Sequence, residues 1–439
     1  MRINKRVISL LIVFLFIFPS ALAEETKLVV AGRLDLPVIY ASYEKDHPGT
    51  VIEISDRWET EMLLEDALSH SDNVDVYIFH PLMDTSYTML RDRGFLLTLE
   101  TPELLAFSEK VYPEVIQACM HEGKLCAVPV GQIVQGIISV FPDAWAAVGM
   151  SEADLPTTWS EFLHFIRDEW PALSEKYEDF SLFDGRDAFD LLNQIERDYE
   201  ARRARDGYTY GYDTPEFREV LSLFEGIDEK MISEKKFNAL FSMNYRPMVV
   251  DDFTNRKFLP LVFAEGEKSV IPTAVFPMAV NPNSSQLDKA LDFVAYTVNH
   301  LDPQDLRELC PDENTPVEAD YMPEEEAEYE QRLAQYESQI EAAENEGARN
   351  DLIEERDAYI AEKEAFFRDY RYAISPDSIA RYRETVEGLL TPVYNKALSS
   401  EEYAAVNQKR EQFLAGAINA DQYINELERR FVMNVLENS

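Results

Sequence analysis

Short apolar runs alternate with segments of helical periodicity in the N-terminal part of the sequence. Three apolar runs predict strands, at residues 27–31, 50–54 and 75–79. Two segments between them predict helices, at residues 36–46 and 59–69. Strands that alternate with helices predict a parallel α/β sheet, whose ligands bind beyond the carboxyl ends of its strands. Those ends lead into residues 33–35, 55–58 and 80–84.

A hairpin is predicted where the two-residue turn Glu122-Gly123 places Cys119 opposite Cys126. The strand that follows is interrupted at Gly131-Gln132, and a second apolar strand comes at 137–141. Such an interruption is typical of a chain that crosses a ligand cleft, and also of an ordinary strand with a bulge. The pattern alone leaves both interpretations open.

The first 23 residues have the pattern of a secretory signal peptide. Basic residues precede an apolar run at 7–18, and the small-residue sequence Ala21-Leu22-Ala23 marks a cleavage site. An uncleaved membrane anchor is the alternative. Glu24, and not a cysteine, follows the site, so no N-terminal lipid anchor is expected. We therefore expect a secreted protein, periplasmic or extracellular.

Charge and cysteine content restrict the partners. The 439-residue chain carries 82 acidic and 41 basic residues, a field that repels nucleic acid and anionic lipid. Opposed hairpin residues lie within disulfide reach, so a Cys119–Cys126 disulfide is predicted, with Cys310 left over. No cysteine and histidine spacing indicates a metal site, and no cofactor is predicted.

No catalytic motif is present. The sequence lacks the phosphate-binding loop, the dinucleotide-binding glycines, the serine nucleophile elbow and the zinc-protease helix. We therefore predict that the protein is not an enzyme. A secreted hydrolase that uses an unmarked pair of carboxylates is the least favoured alternative.

Five segments, in this order and spacing, resemble the extracellular solute-binding proteins of ABC importers, in the family 1 or maltodextrin-type branch. They are EKDHPGTVIEI, DVYIF, RGFLLTL, GKLCAVPV and DLPTTWSEFL. GKLCAVPV resembles the family's first crossing between lobes, and residues 258–263 resemble the second. Thr158 and Asp213 are predicted to cap helices in segments that resemble the family's helix starts. Residues 287–299 resemble a helix that completes the first lobe.

The resemblance implies an α/β fold of two lobes, similar to periplasmic binding proteins, with strands that cross between the lobes. It assigns 24–130 and 263–308 to lobe 1 and 131–262 to lobe 2, with 309–439 as a helical C-terminal part of lobe 2. Apolar residues spaced by three and four predict an acidic helical hairpin at 323–372, broken at Gly347. The hairpin is either packed on lobe 2 or a docking arm for a partner. A monomer is expected.

The implied function is capture of a carbohydrate by hinge closure and its delivery to an ABC permease. One alternative is a cationic or other polar solute, such as a polyamine or peptide, bound by Asp35, Asp251 and Asp252. A sensor or scaffold without a transporter is another. Candidate ligand-binding residues are those at strand ends and crossings: Arg33, Asp35, Trp58, Phe79, His80, Gln132, Gln135, Asn244, Tyr245 and Arg246.

Each candidate also has a structural interpretation. Trp58 is proposed to stack on the ligand, although a single tryptophan is commonly a packing residue. Phe79 could belong to the core, and His80 could cap a turn. Gln132 and Gln135 could bind ligand hydroxyls or only satisfy the bend in the strand. Three other tryptophans are assigned to packing: Trp145, Trp159 and Trp170.

Overall fold

The structure is a computed structural model that describes residues 26–32, 34, 36–55, 74–81, 86–134, 137–245, 256–393 and 400–438. The predicted signal peptide and the predicted helix at 59–69 lie outside the described residues. The strands are β1 (Thr26–Gly32), β2 (Thr50–Ile54), β3 (Val76–Ile78), β4 (Met120–His121), β5 (Lys124–Leu125), β6 (Val128–Val134), β7 (Ile137–Val140), β8 (Phe180–Phe183), β9 (Asn238–Tyr245), β10 (Lys257–Phe258), β11 (Ile271–Val280), β12 (Val317–Glu318), β13 (Tyr372–Ile374) and β14 (Leu390–Pro392).

The helices are α1 (Pro37–Asp46), α2 (Ser86–Asp92), α3 (Pro102–Ser108), α4 (Pro113–Gln117), α5 (Pro142–Ala147), α6 (Trp159–His164), α7 (Trp170–Lys176), α8 (Ala188–Arg205), α9 (Pro215–Glu225), α10 (Glu229–Ser233), α11 (Leu287–Asn299), α12 (Pro303–Leu309), α13 (Met322–Glu341), α14 (Glu346–Tyr370), α15 (Pro376–Val386), α16 (Ser400–Leu414) and α17 (Ala420–Asn438). A π-helical turn, Phe165–Glu169, joins α6 to α7. Within the described ranges, none of these helices combines the length and the apolar character needed to cross a bilayer.

Lobe 1 is built on a mixed sheet. β1 pairs in parallel with β2 and β3, as the alternation of strands and helices predicted. β11 pairs antiparallel with β3 and β6 and parallel with β14. The apolar faces of α11 and α15 pack against this sheet and complete the first hydrophobic core. The carboxyl ends of β1, β2, β3 and β6 therefore lie at one edge of lobe 1.

Lobe 2 has its own sheet, in the order β10-β7-β9-β8, and its own core. Trp145, Trp159 and Trp170 are all buried there, which confirms their assignment to packing. Thr158 caps α6 as predicted, because its Oγ1 accepts from the backbone N–H of Glu161 at 3.1 Å. The cap predicted at Asp213 is wrong. Its carboxylate accepts from Arg218 at 2.6 Å, and Thr214 caps α9 instead.

The chain crosses between the lobes later than the sequence predicted. β6 keeps its pairing with β11 as far as Val134, and β7 begins lobe 2 at Ile137. The chain therefore stays in the lobe 1 sheet as far as Val134, beyond the segment 123–130 that was predicted to be the first crossing. Phe263 still belongs to the lobe 2 core, so the second crossing lies at 264–270 and not at 258–263 as predicted. In this segment Glu267 accepts from Arg202 of α8 at 2.5 Å.

The assignment of 309–439 to lobe 2 is wrong for its first part. β14 pairs with β11, and Ile379 and Tyr382 of α15 join the lobe 1 core, because the apolar face of this helix covers the lobe 1 sheet. α16 and α17 pack on lobe 2 through residues such as Phe413 and Tyr423. The chain consequently passes between the lobes a third time, between β14 and α16.

The predicted acidic hairpin is formed by α13 and α14. Its arms meet through rings and one ion pair: Tyr329 lies 5.9 Å from Tyr359 by ring centroids, and Lys363 lies 2.7 Å from Glu325. The turn comes before the predicted break, because Asn345 caps α14 by accepting from the N–H of Ala348 at 2.9 Å. β12 and β13 pair at its base, and Ile374 reaches the lobe 1 core, so the hairpin is based on lobe 1 and not on lobe 2.

The predicted β-hairpin at Glu122-Gly123 is confirmed. β4 and β5 pair antiparallel, and both turn residues have positive φ (48° and 76°), as the tightest hairpin turns require. The predicted disulfide is not formed in this structure. Cys119 and Cys126 are buried free thiols, and Cys126 Sγ donates to the carbonyl oxygen of Cys119 at 3.2 Å. Cys310 is also a buried free thiol.

Candidate ligand-binding cleft

The carboxyl edge of the lobe 1 sheet adjoins the first crossing, because β6 runs in the same direction as β3 on the other side of β11. β1 ends at Gly32, where a Cβ would overlap the carbonyl oxygen of Ile78. Glycine is therefore required at the point where the chain enters the loop that carries Arg33 and Asp35. This edge and the start of β7 form the candidate cleft.

Several predicted site residues lie outside the described residues: Arg33, Asp35, Trp58, Gln135, Arg246, Asp251 and Asp252. Asn244 and Tyr245 end β9, and the Tyr245 backbone pairs with Ile137 at the start of β7. The end of β9 is therefore next to the first crossing. These residues stay predictions.

Phe79 is not a cleft residue. Its side chain is fully buried in lobe 1, with ring centroids 5.6 Å from Tyr77 and 5.2 Å from Tyr87. The prediction was wrong because β3 turns its last aromatic residue toward the helices that cover the sheet. His80, the next residue, is half-buried and meets Phe276 of β11 edge to face, at 5.0 Å between ring centroids and 81° between planes.

The side chain of Gln132 forms hydrogen bonds within lobe 1 and does not face the cleft. Only 4% of the residue is exposed, and its Nε2 donates to the carbonyl oxygen of Glu308 at 2.6 Å and to Tyr382 Oη at 2.8 Å. Successive strand residues point to opposite faces of a sheet. Gln132 therefore contacts α12 and α15, and the side chain of Ile133 points to the opposite face of β6.

The surroundings of Gly131 include three residues that the sequence did not single out: Ile133, Phe276 and Asp305. Ile133 is 44% exposed, which is unusual for an isoleucine in a sheet. A Cβ at Gly131 would lie 3.7 Å from Asp305 Oδ1 and 3.8 Å from Phe276 Cδ2. Gly131 thus lies beside Phe276 and Asp305, and Phe276 in turn contacts His80; we take these residues and Ile133 as the candidate cleft wall of lobe 1. The alternation of β6 was a signal for Ile133, but Asp305 is 172 positions away on α12 and no local pattern points to it.

Asp305 is an electrostatically unfavourable residue of this wall. Burial, and secondarily the charge of Asp302, raise the pKa of its carboxyl to about 6. No side chain or backbone group in the described part of the chain forms a hydrogen bond or ion pair with this carboxylate. The wall therefore contains an acceptor that the described part of the protein does not satisfy.

A small cavity lies where the first two crossings meet. The cavity is lined by Ile137 and Ile138 of β7, Ser269 and Val270 of the second crossing, Ile271 and Pro272 of β11, and Asp198 of α8. Gln194 donates to Asp198 Oδ1 at 2.7 Å. Burial raises the pKa of Asp198 well above its ordinary value and outweighs the opposing effects of Gln194, Trp159 and Arg197. An ionisable group is thus buried at the hinge.

Metal-ligand geometry is absent from the residues that the structure describes, since no three His, Cys, Asp or Glu side chains are grouped to hold an ion. No family model matches the sequence, and no curated protein matches it.

Solved structures, in contrast, match over nearly the whole chain. A protein assigned as binding protein MsmE from Bacillus subtilis, in an open conformation, has a TM-score of 0.59 at 12% identity, covering 94% of this chain and 98% of that chain. A protein assigned as an oligosaccharide periplasmic-binding protein from Synechococcus sp. MITs9220 has a TM-score of 0.54 at 14% identity, covering 94% and 100%. A sugar transporter protein from Bacillus licheniformis, in complex with stachyose, has a TM-score of 0.51 at 13% identity, covering 92% and 99%.

Identities this low show the fold alone. The chain has the two-lobed α/β fold of periplasmic binding proteins, and the predicted fold class is confirmed. The resemblance to solute-binding proteins of ABC importers is confirmed at the level of the fold.

Proposed function

We propose that the protein captures a carbohydrate outside the cytoplasm and delivers it to an ABC permease. The observation that carries the proposal is the pair of lobes, each with its own sheet and core, joined by chain crossings beside a wall of mixed polar and apolar character. Closure of two lobes on a ligand shifts the population toward the closed form when ligand contacts exist only there. The solved structures with this fold include one in complex with stachyose, which supports a sugar ligand.

A cationic ligand is the second candidate, because the carboxylate of Asp305 has no partner among the described residues. A sugar supplies hydroxyl donors to such a group, and a polyamine supplies charge. The exposed Ile133 suits a sugar, because carbohydrate rings present apolar C–H faces that pack on aliphatic side chains.

The test is thermal unfolding of the purified mature chain with a panel of oligosaccharides, including stachyose, maltotriose and xylotriose, and with putrescine and spermidine. A ligand at a hundred times its Kd stabilises the folded protein by about 2.7 kcal/mol, which such a measurement detects. Stabilisation by an oligosaccharide supports the proposal. Stabilisation by polyamines and by none of the sugars contradicts it, and chemical change of a bound sugar contradicts a pure binding role.

Delivery is tested in the source organism. Deletion of the gene is expected to abolish uptake of the radiolabelled ligand that the panel identifies, and a plasmid copy is expected to restore it. Normal uptake in the deletion strain would instead favour a sensor or scaffold, for which the α13–α14 hairpin would be the partner-binding arm.

A further inference from the structure

The two faces of β6 have different surroundings. Gln132 is tied to the helices behind the sheet, so the strand cannot rotate without breaking hydrogen bonds to Glu308 and Tyr382. Ile133 is thereby held with nearly half its surface open on the cleft face. Exposed apolar surface held in a fixed position by buried hydrogen bonds is typical of a contact surface for a ligand.

Beside Gly131 there is space that a side chain would fill. Its neighbours on the cleft face are Phe276 and Asp305, each at ordinary van der Waals distance from where a Cβ would lie. The position therefore has room for a methyl group, and no positive φ requires glycine there. The absence of a side chain leaves a gap between an aromatic ring and a carboxylate.

Asp305 is the charged residue beside this space. Its carboxylate has no hydrogen-bond or ion-pair partner among the described residues, although burial has already removed much of its hydration. A desolvated acceptor without a partner is costly, and a ligand that donates to it recovers that cost. Phe276 is 7% exposed and is held edge-on by His80, so it forms the base of the gap, and Ile133 supplies the open apolar surface.

We propose that Asp305, Phe276 and Ile133, grouped around Gly131, form a subsite on lobe 1 that binds one sugar unit of the ligand. The apolar face of the ring packs on Ile133 and on the edge of Phe276, and a ring hydroxyl donates to Asp305. This inference rests on the proposed carbohydrate function and adds the residues that select for a hydroxyl donor.

The experiment measures Kd by titration calorimetry for the oligosaccharide of the panel that stabilises the protein most. Asp305→Asn is expected to raise Kd about tenfold or more, because it replaces a charged acceptor by a neutral one. Gly131→Ala is expected to raise Kd about fivefold or more by filling the gap. Asp288→Asn removes the same charge from an exposed position at the other end of lobe 1, and its Kd is expected to stay within about twofold.

The stability of the ligand-free variants distinguishes a role of Asp305 in binding from a role in the fold. Asp305→Asn removes an unsatisfied carboxylate, so its unfolding temperature at pH 7 is expected to equal or exceed that of the unchanged protein. Weaker binding by a variant of unreduced stability supports the subsite. Weaker binding with lower stability overturns it, because Asp305 would then act through the fold.

Other outcomes distinguish the two proposals. If an oligosaccharide binds and both Asp305→Asn and Gly131→Ala leave Kd within twofold, the subsite is overturned and the proposed function stands. If only spermidine or putrescine binds, and Asp305→Asn abolishes that binding, the ligand class is overturned in both proposals.

Discussion

Arg410 of α16 donates two hydrogen bonds to one carboxylate oxygen of Glu196 on α8, from Nε at 2.9 Å and from Nη2 at 2.6 Å. The other oxygen of Glu196 accepts from Tyr423 Oη at 2.5 Å. Burial lowers the pKa of Arg410, but the charge and hydrogen bonds of Glu196 outweigh this effect and hold the pKa above its ordinary value. This pair joins the C-terminal helices to lobe 2.

Glu196→Gln is expected to lower the free energy of unfolding by about 3–5 kcal/mol, because it leaves the Arg410 charge buried without an opposite charge. Urea denaturation of the ligand-free protein measures the change. The matched control is Glu318→Gln, which breaks an exposed pair with Arg371 and should change stability by about 1 kcal/mol or less. Equal effects of the two substitutions would contradict the proposed role of the buried pair.

Asp198→Asn is expected to change the pH dependence of stability. The folded state raises the pKa of Asp198 well above 3.8, so the native protein holds this proton more tightly than the unfolded chain does. The corresponding stability is present below pH 4 and is lost as pH rises through the folded pKa. Asparagine accepts the same Gln194 hydrogen bond without a charge. The variant should therefore match the unchanged protein near pH 4 and exceed its stability at pH 8, in urea denaturation.

Asp206, the residue that follows α8, provides a control of opposite sign. Its pKa is lowered, chiefly by the Arg205 hydrogen bond, so its contribution is present above the unfolded pKa and is lost as pH falls. Asp206→Asn is expected to lose stability at pH 8 and to approach the unchanged protein near pH 3. If the unfolding free energies of the two variants changed with pH in the same direction, Asp198 would not have the raised pKa expected of a buried acid.

Gln132 and Ile133 are adjacent in sequence and should separate fold from binding. Gln132→Leu leaves the Glu308 carbonyl and Tyr382 with fewer partners, so we expect a loss of about 1–3 kcal/mol in unfolding free energy and little change in ligand Kd. Ile133→Ala is expected to weaken binding severalfold and to change stability by about 0.5 kcal/mol or less, since the side chain is partly exposed. If instead Gln132→Leu weakened binding and Ile133→Ala lowered stability, Gln132 would be a cleft residue.

The three cysteines should resist alkylation in the folded protein. Burial raises the pKa of Cys126 and of Cys310 to about 11, and it raises that of Cys119 further, so little thiolate is present at pH 8. Intact mass after iodoacetamide treatment should show no addition in native buffer and three additions in denaturant. One addition in denaturant would demonstrate the Cys119–Cys126 disulfide predicted from the hairpin.

The elements that sequence patterns predicted are those with local causes. Thr158 and Glu161 define a helix start within four residues, and Glu122-Gly123 defines a turn within two. The helix at 287–299 follows from its own periodicity. Apolar residues spaced by four and three from Tyr329 to Ala343, and by seven from Leu352 to Phe366, likewise predicted a helical hairpin that the structure contains.

Features that depend on distant residues were not predictable in the same way. The sequence assigned α15 to lobe 2, because nothing local indicates that Tyr382 packs beside Gln132, 250 positions away. Phe79 and Gln132 occupy plausible positions at strand ends, but the direction of each side chain depends on which helices cover which face. Asp305 is a candidate ligand-binding residue only because the fold places α12 beside β6.

The threefold passage of the chain between the lobes has a consequence for the order in which the protein can fold. The lobe 2 core contains Ile138 near its beginning and Leu427 near its end, and the Glu196–Arg410 hydrogen bonds join residues 214 positions apart. A chain that emerges from the ribosome N-terminus first cannot complete this lobe until synthesis is nearly finished. Contacts of such long separation also form slowly. Lobe 2 of the nascent chain therefore stays incomplete until its last helices have been made.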